Sequence, residues 1–318
     1  MIPLHFPIRS CITAFLWAAS GSVVAQNERA ATATNAFTFD YANDFFRATD
    51  RYFTQGVRLE LASPILGRVP LRKILPGMGN SADQEHVLFA EQNCYTPRSI
   101  RRDTVLRDDR PFAAALFIGQ RRTSVDAVHG VRLTSAIMLG VLGPCAVCAE
   151  EQRAIHAALD NIAPLGWQFQ VANDVIANMD LQVEQQLLRT RFLELSVAGS
   201  VRVGTFHDQA GIGGRLEVGR FRSDLGMESR HGFELSLFVS GRAHAVAYDA
   251  TLQGGLFNHS SVHVLPHGSI EPLVGQGELG ARARLGMWDL LFAHVYTSRD
   301  FKNGMPHAWG ELRIVVHW

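Results

Sequence analysis

His307 to Trp318 reads HAWGELRIVVHW. Within it Leu312, Ile314, Val316 and Trp318 fall on one face of an extended chain, because successive strand side chains point to opposite sides. The same period of two recurs upstream. Phe37, Phe39 and Tyr41 alternate with Thr38, Asp40 and Ala42, and Val57, Leu59 and Leu61 with Arg58, Glu60 and Ala62. Leu193, Leu195, Val197 and Val201 alternate with Glu194, Ser196, Ser200 and Arg202. Ile212, Leu216 and Val218, then Leu235, Leu237 and Val239, then Leu279, Ala281, Ala283 and Leu285 continue it against Arg215, Glu217, Glu234, Ser236, Arg282 and Arg284. Each segment thus has one apolar and one polar face. Roughly a dozen such segments occur, at the length of ~10 residues that membrane-spanning strands use.

Two architectures satisfy this pattern. A soluble sandwich buries its apolar face and wets the polar one; a membrane barrel turns the apolar face to lipid and the polar face to a lumen. The N-terminus favours the barrel. Arg9 gives a positive start, Cys11 to Val24 is apolar and rich in small residues, and Val23-Val24-Ala25 resembles a cleavage site. Residues 1–25 are therefore read as a signal peptide and 26–318 as one barrel domain. A terminal strand closing on an aromatic residue, Trp318, looks like that of a bacterial outer-membrane protein, and closure removes the unpaired edges that hydrocarbon does not tolerate. The expected fold is all-β: a single antiparallel outer-membrane β-barrel of about twelve strands. Lys plus Arg equals Asp plus Glu, 30 each, so no basic face argues for a nucleic-acid partner.

One segment departs from alternation. Ala149 to Leu159, AEEQRAIHAAL, lacks Gly, Pro and β-branched runs and follows Gly143-Pro144, so a short helix is expected there. Cys145 and Cys148 form a lone C-x-x-C just before it. No second ligand pair supports zinc and no βαβ context supports a redox motif, so the two are read as a structural or incidental pair. If oxidised to each other they would set how the helix enters the lumen, and exchanging both for Ser is expected to preserve most activity. Pro64 to Asp83 and Arg98 to Asp109 read as long loops, of the kind that face outward in such barrels.

Several polar residues stand where chemistry is possible. Gln152 and His156, four apart, share one helix face, and a histidine titrates near neutrality, as a general base must. Asn43 and Asp44 interrupt an aromatic strand, and Thr54 lies in Tyr52-Phe53-Thr54-Gln55-Gly56, which opens the next. Together these supply amide and hydroxyl donors for an oxyanion, a carboxylate for a metal, and a base for water. No G-x-S-x-G elbow is present.

With YAND at Tyr41–Asp44, TDRYFTQG at Thr49–Gly56, YTP at Tyr95–Pro97, DRPFA at Asp109–Ala113, LGVLGP at Leu139–Pro144, Q-x-x-x-H at Gln152–His156 and TSRDF at Thr297–Phe301, the chain resembles the outer-membrane lipid A 3′-O-deacylase family. The resemblance spans nearly all of the chain after the leader. It implies a twelve-stranded barrel with its site at the outer rim, near the outer leaflet. It implies Ca²⁺-dependent hydrolysis of the ester that holds the acyloxyacyl chain at the 3′ position, with lipid A of lipopolysaccharide as partner. The family's functional residues fall on Asn43, Asp44, Thr54, Gln152 and His156, with His156 as base. Asn43 and Thr54 then donate to the oxyanion or place the metal, Gln152 holds the geometry on the helix side, and Asp44 binds metal or orients His156. Arg98, Arg101, Arg102 and Arg107 form either a grip for lipid A phosphates or a solvated charge run. The rival readings are a barrel that only binds or supports, and an outer-membrane phospholipase.

Overall fold

The computed structural model describes residues 35–47, 51–79, 83–223 and 232–318; the leader read over residues 1–25 lies outside them. Twelve strands run in chain order: β1 Ala36–Asn43, β2 Tyr52–Ala62, β3 Asp83–Thr96, β4 Ala113–Asp126, β5 Val131–Leu142, β6 Asp174–Arg189, β7 Leu193–Gly204, β8 His207–Arg220, β9 Glu234–Asp249, β10 Leu273–Leu285, β11 Trp288–Thr297 and β12 His307–His317. Each pairs antiparallel with its sequence neighbours, and β1 pairs with β12 to close the barrel. Trp318 N–H donates to the Asn35 carbonyl at 3.0 Å, so the first and last described segments meet at one end.

Alternation becomes inside and outside. Along β11 every second residue is buried, starting at Asp289, and its partners in alternation, Trp288, Leu290, Phe292 and Tyr296, are exposed. Leu59, Leu88, Ile118, Leu139, Val183 and Leu237 are likewise exposed on other strands. This is the outward apolar band that a bilayer covers.

The interior is filled by ion pairs. Glu60 receives both Arg58 at 2.6 Å and Arg121 at 2.7 Å, and Arg58 also reaches Glu91 at 2.7 Å. Arg132 pairs with Glu184, Arg202 with Asp180, Arg215 with Glu217, Arg313 with Asp40, and both Arg282 and Arg284 with Asp289. Arg215 lies 3.7 Å over the Phe238 ring and Arg58 4.2 Å over Phe89. Charges withdrawn from water need partners to offset desolvation, and here most of the pairs also cross-link neighbouring strands.

The two ends differ. Connections after β2, β4, β6, β8 and β10 share the end where the termini meet, called here the terminal end. Those after β1, β3, β5, β7, β9 and β11 share the loop end, which carries the long connection 143–173. The expected outward-facing loop Pro64–Asp83 therefore lies at the terminal end, opposite to Arg98–Asp109. An even number of strand crossings separates it from the termini, which overrides the guess from loop length. It contains two 3₁₀ turns, Pro64–Arg68 and Pro70–Lys73.

The expected helix is present as α1, Cys148–Ala158. It stands outside the barrel wall at the loop end and does not enter the lumen. The cysteine reading is also corrected: Cys148 bonds Cys94 of β3, 54 residues earlier, and not Cys145.

Candidate active site

Strand register sets which side chains reach the outer wall. On β2, Val57, Leu59 and Leu61 point outward; on β3, Leu88, Ala90, Gln92 and Cys94 do; on β4, Ala114, Leu116 and Ile118 do. Asn43 pairs with Gln55, Gln55 with Cys94 and Cys94 with Ala114, so one outward row crosses β1 to β4 at the loop end. A register shift between Phe53 and Gln55 inserts Thr54 as an extra residue. Such a bulge re-aims a side chain out of strict alternation. Thr54 and Gln55 together occupy the space opposite Cys94.

Helix α1 and the turn that leads into it are fastened at four points, three on this wall and one on the segment before β6. Cys148 is bonded to Cys94, with 5.8 Å between the Cα atoms. The Gln55 amide donates to Glu151 Oε1 at 2.9 Å. The Gln92 amide donates to the Ala146 carbonyl at 2.8 Å, and Cys145 N–H to Asn173 Oδ1 at 2.8 Å. Ala114, Ala146 and Ala149 are small enough to let the helix approach, and they pack with Ile100, Phe112 and Trp167 in one buried cluster.

The backbone entering the helix is strained. Val147, β-branched, sits at φ 56°, and Asp160 just beyond the helix at φ 51°. A left-handed position costs a β-branched residue on the order of 1–3 kcal/mol and persists only where surrounding contacts over-determine it. Gly143, φ 90°, makes the turn that precedes them; a Cβ there would lie 2.7 Å from the Ala172 backbone.

Cys148, Gln152 and His156 recur every four residues and so form one helix stripe. The bond at Cys148 turns that stripe toward the wall. Gln152 Oε1 accepts from Trp167 Nε1 at 2.7 Å. His156 Nδ1 lies 2.5 Å from the Ile162 carbonyl, which can only accept, so Nδ1 carries the proton and a neutral ring has its lone pair on Nε2. The return segment is tied down by Leu165 N–H to the Ile100 carbonyl and Val171 N–H to the Phe112 carbonyl.

On the barrel side, Asn43 Oδ1 accepts from Phe45 N–H at 2.7 Å while its amide donates to the Tyr41 hydroxyl at 2.9 Å. Asp44 Oδ2 accepts from Arg51 N–H at 2.7 Å. Asp44 and Glu151 both lie close enough to act electrostatically on the Tyr41 phenol. Asp44, Thr54, Gln152 and His156 are each under 10 % exposed, at 3, 5, 7 and 8 %. Polar groups buried to that degree are held in one arrangement.

The structure thus brings the five sequence-derived residues to one region: Asn43, Asp44 and Thr54 at the rim of β1–β2, Gln152 and His156 on the wall-facing stripe of α1. Residues 55 and 151, each adjacent to a member of the set, are hydrogen-bonded across the gap. Tyr41, Gln55, Glu151 and Trp167 are supporting residues that sequence reasoning did not single out for roles. Tyr41 and Gln55 lie inside YAND and TDRYFTQG, which is the signal that could have found them. In the 97–112 connection, Arg98 is committed to Asp108 at 2.9 Å, and Asp109 takes its backbone N–H at 2.7 Å. The hydrogen bond from Arg98 holds the Asp108 carboxyl below its ordinary value, whereas burial raises that of Asp109. Arg101, Arg102 and Arg107 are exposed.

A lumen cavity at the same end is a separate space, lined by Glu91, Tyr95, Arg110, His207, Asp249 and Asp300 among others and by none of the five residues. Among the described residues, no three His, Cys, Asp or Glu side chains cluster as a cation cage. The donors present are hard oxygens: the carboxylates of Asp44 and Glu151, the Thr54 hydroxyl and the Asn43 carbonyl.

The family model described as outer membrane protein LpxR matches residues 10–318. Among solved structures, LpxR from Salmonella typhimurium superposes with a TM-score of 0.73 at 18 % identity, covering 89 % of this chain and 100 % of that one. The β domain of the Bordetella autotransporter BrkA gives a TM-score of 0.44 at 9 % identity, covering 90 % and 99 %. The translocator domain of NalP from Neisseria meningitidis gives 0.43 at 11 %, covering 92 % and 90 %. A comparison with curated protein sequences returns no match.

Proposed function

The chain belongs to the LpxR family of outer membrane proteins, and from that premise we propose that it removes the 3′-linked acyloxyacyl chain from lipid A by ester hydrolysis. It is an outer-membrane β-barrel. Short turns face the periplasm in such barrels and longer loops the outside, so the loop end is extracellular. The observation that carries the reading is the site's place on the outer wall. Directly below it Leu59, Leu88, Ile118 and Leu139 are exposed to lipid. A substrate already embedded in the outer leaflet reaches the stripe of α1 laterally, without passing through the ion-paired lumen. A barrel that only bound or supported would not require a buried base and amide on a helix cross-linked to its outer wall.

In the proposed mechanism, His156 Nε2 takes a proton from water, which attacks the ester carbonyl. The Ile162 carbonyl fixes the ring and stabilises the imidazolium that forms. Thr54 and Asn43 donate toward the developing oxyanion in a site shielded from water, where such donors are worth most. His156 then returns the proton to the departing 3′ oxygen of the sugar. Gln152, held by Trp167, keeps the stripe in position. The oxygen donors fit a hard cation in kind, so Asp44, with Glu151 as a second carboxylate, would hold Ca²⁺. Bound there, Ca²⁺ would supply Lewis-acid polarisation of the ester carbonyl. Arg101, Arg102 and Arg107 would meet the lipid A phosphates at the same end.

Purified protein in detergent, given lipid A and Ca²⁺, is expected to release the acyloxyacyl acid and to stop when Ca²⁺ is chelated. Phospholipid offered in place of lipid A is expected to remain intact. Turnover undiminished by exhaustive chelation would remove the metal from the account, and preferential phospholipid cleavage would replace the substrate.

A further inference from the structure

At the terminal end the outward wall of β3 to β5 changes character. Leu88, Ile118 and Leu139 are exposed at 46, 42 and 57 %, yet the outward residues nearer the rim, His86, Gln120, Ser124 and Ser135, are polar and buried at 8, 3, 0 and 0 %. They are covered by residues 64–78, which fold back onto the outside of the barrel. Gln120 Nε2 donates to the Leu66 carbonyl at 3.0 Å, Arg122 Nη1 to the Leu75 carbonyl at 2.9 Å, and Ser135 Oγ to the Pro76 carbonyl at 2.7 Å. Gly67 and Gly77 make close approach possible: a Cβ would stand 2.9 Å from the His86 ring and 2.1 Å from the Arg122 guanidinium. Leu75 is buried at 2 %.

The opposite side of the segment is built for a different contact. Ile65, Val69, Leu71 and Ile74 are exposed, at 57, 39, 37 and 57 %. Arg68, Arg72 and Lys73 are exposed beside them. No acidic residue occurs between Glu60 and Asp83, so the segment carries three cations and no compensating charge. Apolar residues next to Lys and Arg, on an element lying against a membrane protein's lipid-facing wall, match the composition of interfacial segments.

We propose that residues 64–78 form a periplasmic-leaflet anchor whose Arg68, Arg72 and Lys73 bind the phosphates of anionic phospholipids, with Ile65, Val69, Leu71 and Ile74 seated at the acyl boundary. Two observations choose this occupant. The segment continues the apolar band at the level where the band ends, which is the headgroup layer. Its charge is complementary to anionic headgroups, and its end of the barrel is the one away from the extracellular leaflet that holds lipid A. The anchor would fix the vertical position of the barrel and thereby the height of the outer rim. It rests on the fold and on outer-membrane placement, not on hydrolysis.

The test reconstitutes the full protein in phosphatidylethanolamine vesicles with trace spin-labelled phosphatidylglycerol or phosphatidylcholine, and reads the motionally restricted fraction by electron paramagnetic resonance. Each cation near an anionic surface is worth roughly a fivefold preference. The wild type is expected to select phosphatidylglycerol several-fold, and this selectivity is expected to fall away near 1 M salt, where the screening length is about 3 Å. The combined Arg68→Gln, Arg72→Gln and Lys73→Gln variant is expected to lose most of it, while Arg68→Lys with Arg72→Lys retains it. Heat-modifiable gel mobility verifies folding of each variant. Unchanged selectivity in the triple variant would overturn the proposal. So would a loss no larger than that produced by Arg101→Gln, Arg102→Gln and Arg107→Gln at the opposite end.

Discussion

His156 is held by an acceptor that dictates its tautomer. The Ile162 carbonyl accepts a hydrogen bond from Nδ1–H, which leaves the Nε2 lone pair for the proposed role of base. Replacing His156 by Ala is expected to lower deacylation by roughly two to four orders of magnitude, the usual scale for a lost general base, while heat-modifiable mobility shows an intact barrel. Full activity in that folded variant would end the assignment. A second residue gives a pH dependence. Burial at the cavity mouth pushes Asp300, in the connection before β12, up to about 6 from an ordinary 3.8. The folded protein therefore keeps a proton that the unfolded chain releases near pH 4, so this group's contribution to stability falls as pH rises from about 4 to 6. In urea unfolding, Asp300→Asn is expected to flatten that decline relative to wild type; an identical pH slope in both would contradict it. At this scale the sequence was partly legible. Residue types and the four-residue step placed Gln152 and His156 on one face, but the carbonyl that orients His156 is a backbone group six residues on, in a segment with no periodic signal.

Helix α1 shows what pattern reading misses between elements. Its composition announced a helix, and Cys148–Ala158 matches Ala149–Leu159 within one residue at each end. Its place was not legible, because C-x-x-C invites a local pairing, whereas Cys94 becomes a partner only once register turns it outward on β3. The corrected bond closes a loop of 54 residues. Chain-entropy arguments give such a cross-link about 4 kcal/mol, far more than a loop of two intervening residues would provide. It also anchors the stripe that carries Gln152 and His156. The double variant Cys94→Ala with Cys148→Ala, reversing the expectation that loss of Cys148 is tolerated, is thus expected to fold as a barrel yet lose activity by on the order of a hundredfold, the cost of a misplacement of about 1 Å at a catalytic group. Limited proteolysis is expected to cut within 143–173 in the variant and not in wild type. Activity and protease resistance equal to wild type would show that packing of Trp167, Phe112 and Ala149 suffices without the bond.

For the molecule as a whole, alternation in β1, β2, β7, β8, β9 and β10 left a sandwich and a barrel open, and the leader-like N-terminus with the last strand ending on Trp318 chose the barrel. The terminal end was misread because loop length says nothing about parity; only the count of crossings puts Pro64–Asp83 beside the termini. The candidate site's position on the outer wall follows from register, which one sequence does not reveal, and it is this position that suits the barrel to the proposed chemistry on a lipid. The Arg–carboxylate pairs inside the barrel brace the wall against which α1 is held. The most direct measurement is the mass of lipid A from Gram-negative cells expressing either the wild type or His156→Ala, at matched amounts of folded protein in the outer membrane. The account predicts that lipid A loses the mass of one acyloxyacyl chain from its 3′ position in the first case and keeps it in the second. Lipid A of unchanged mass in cells carrying the folded wild type, or the same loss in both, would contradict it.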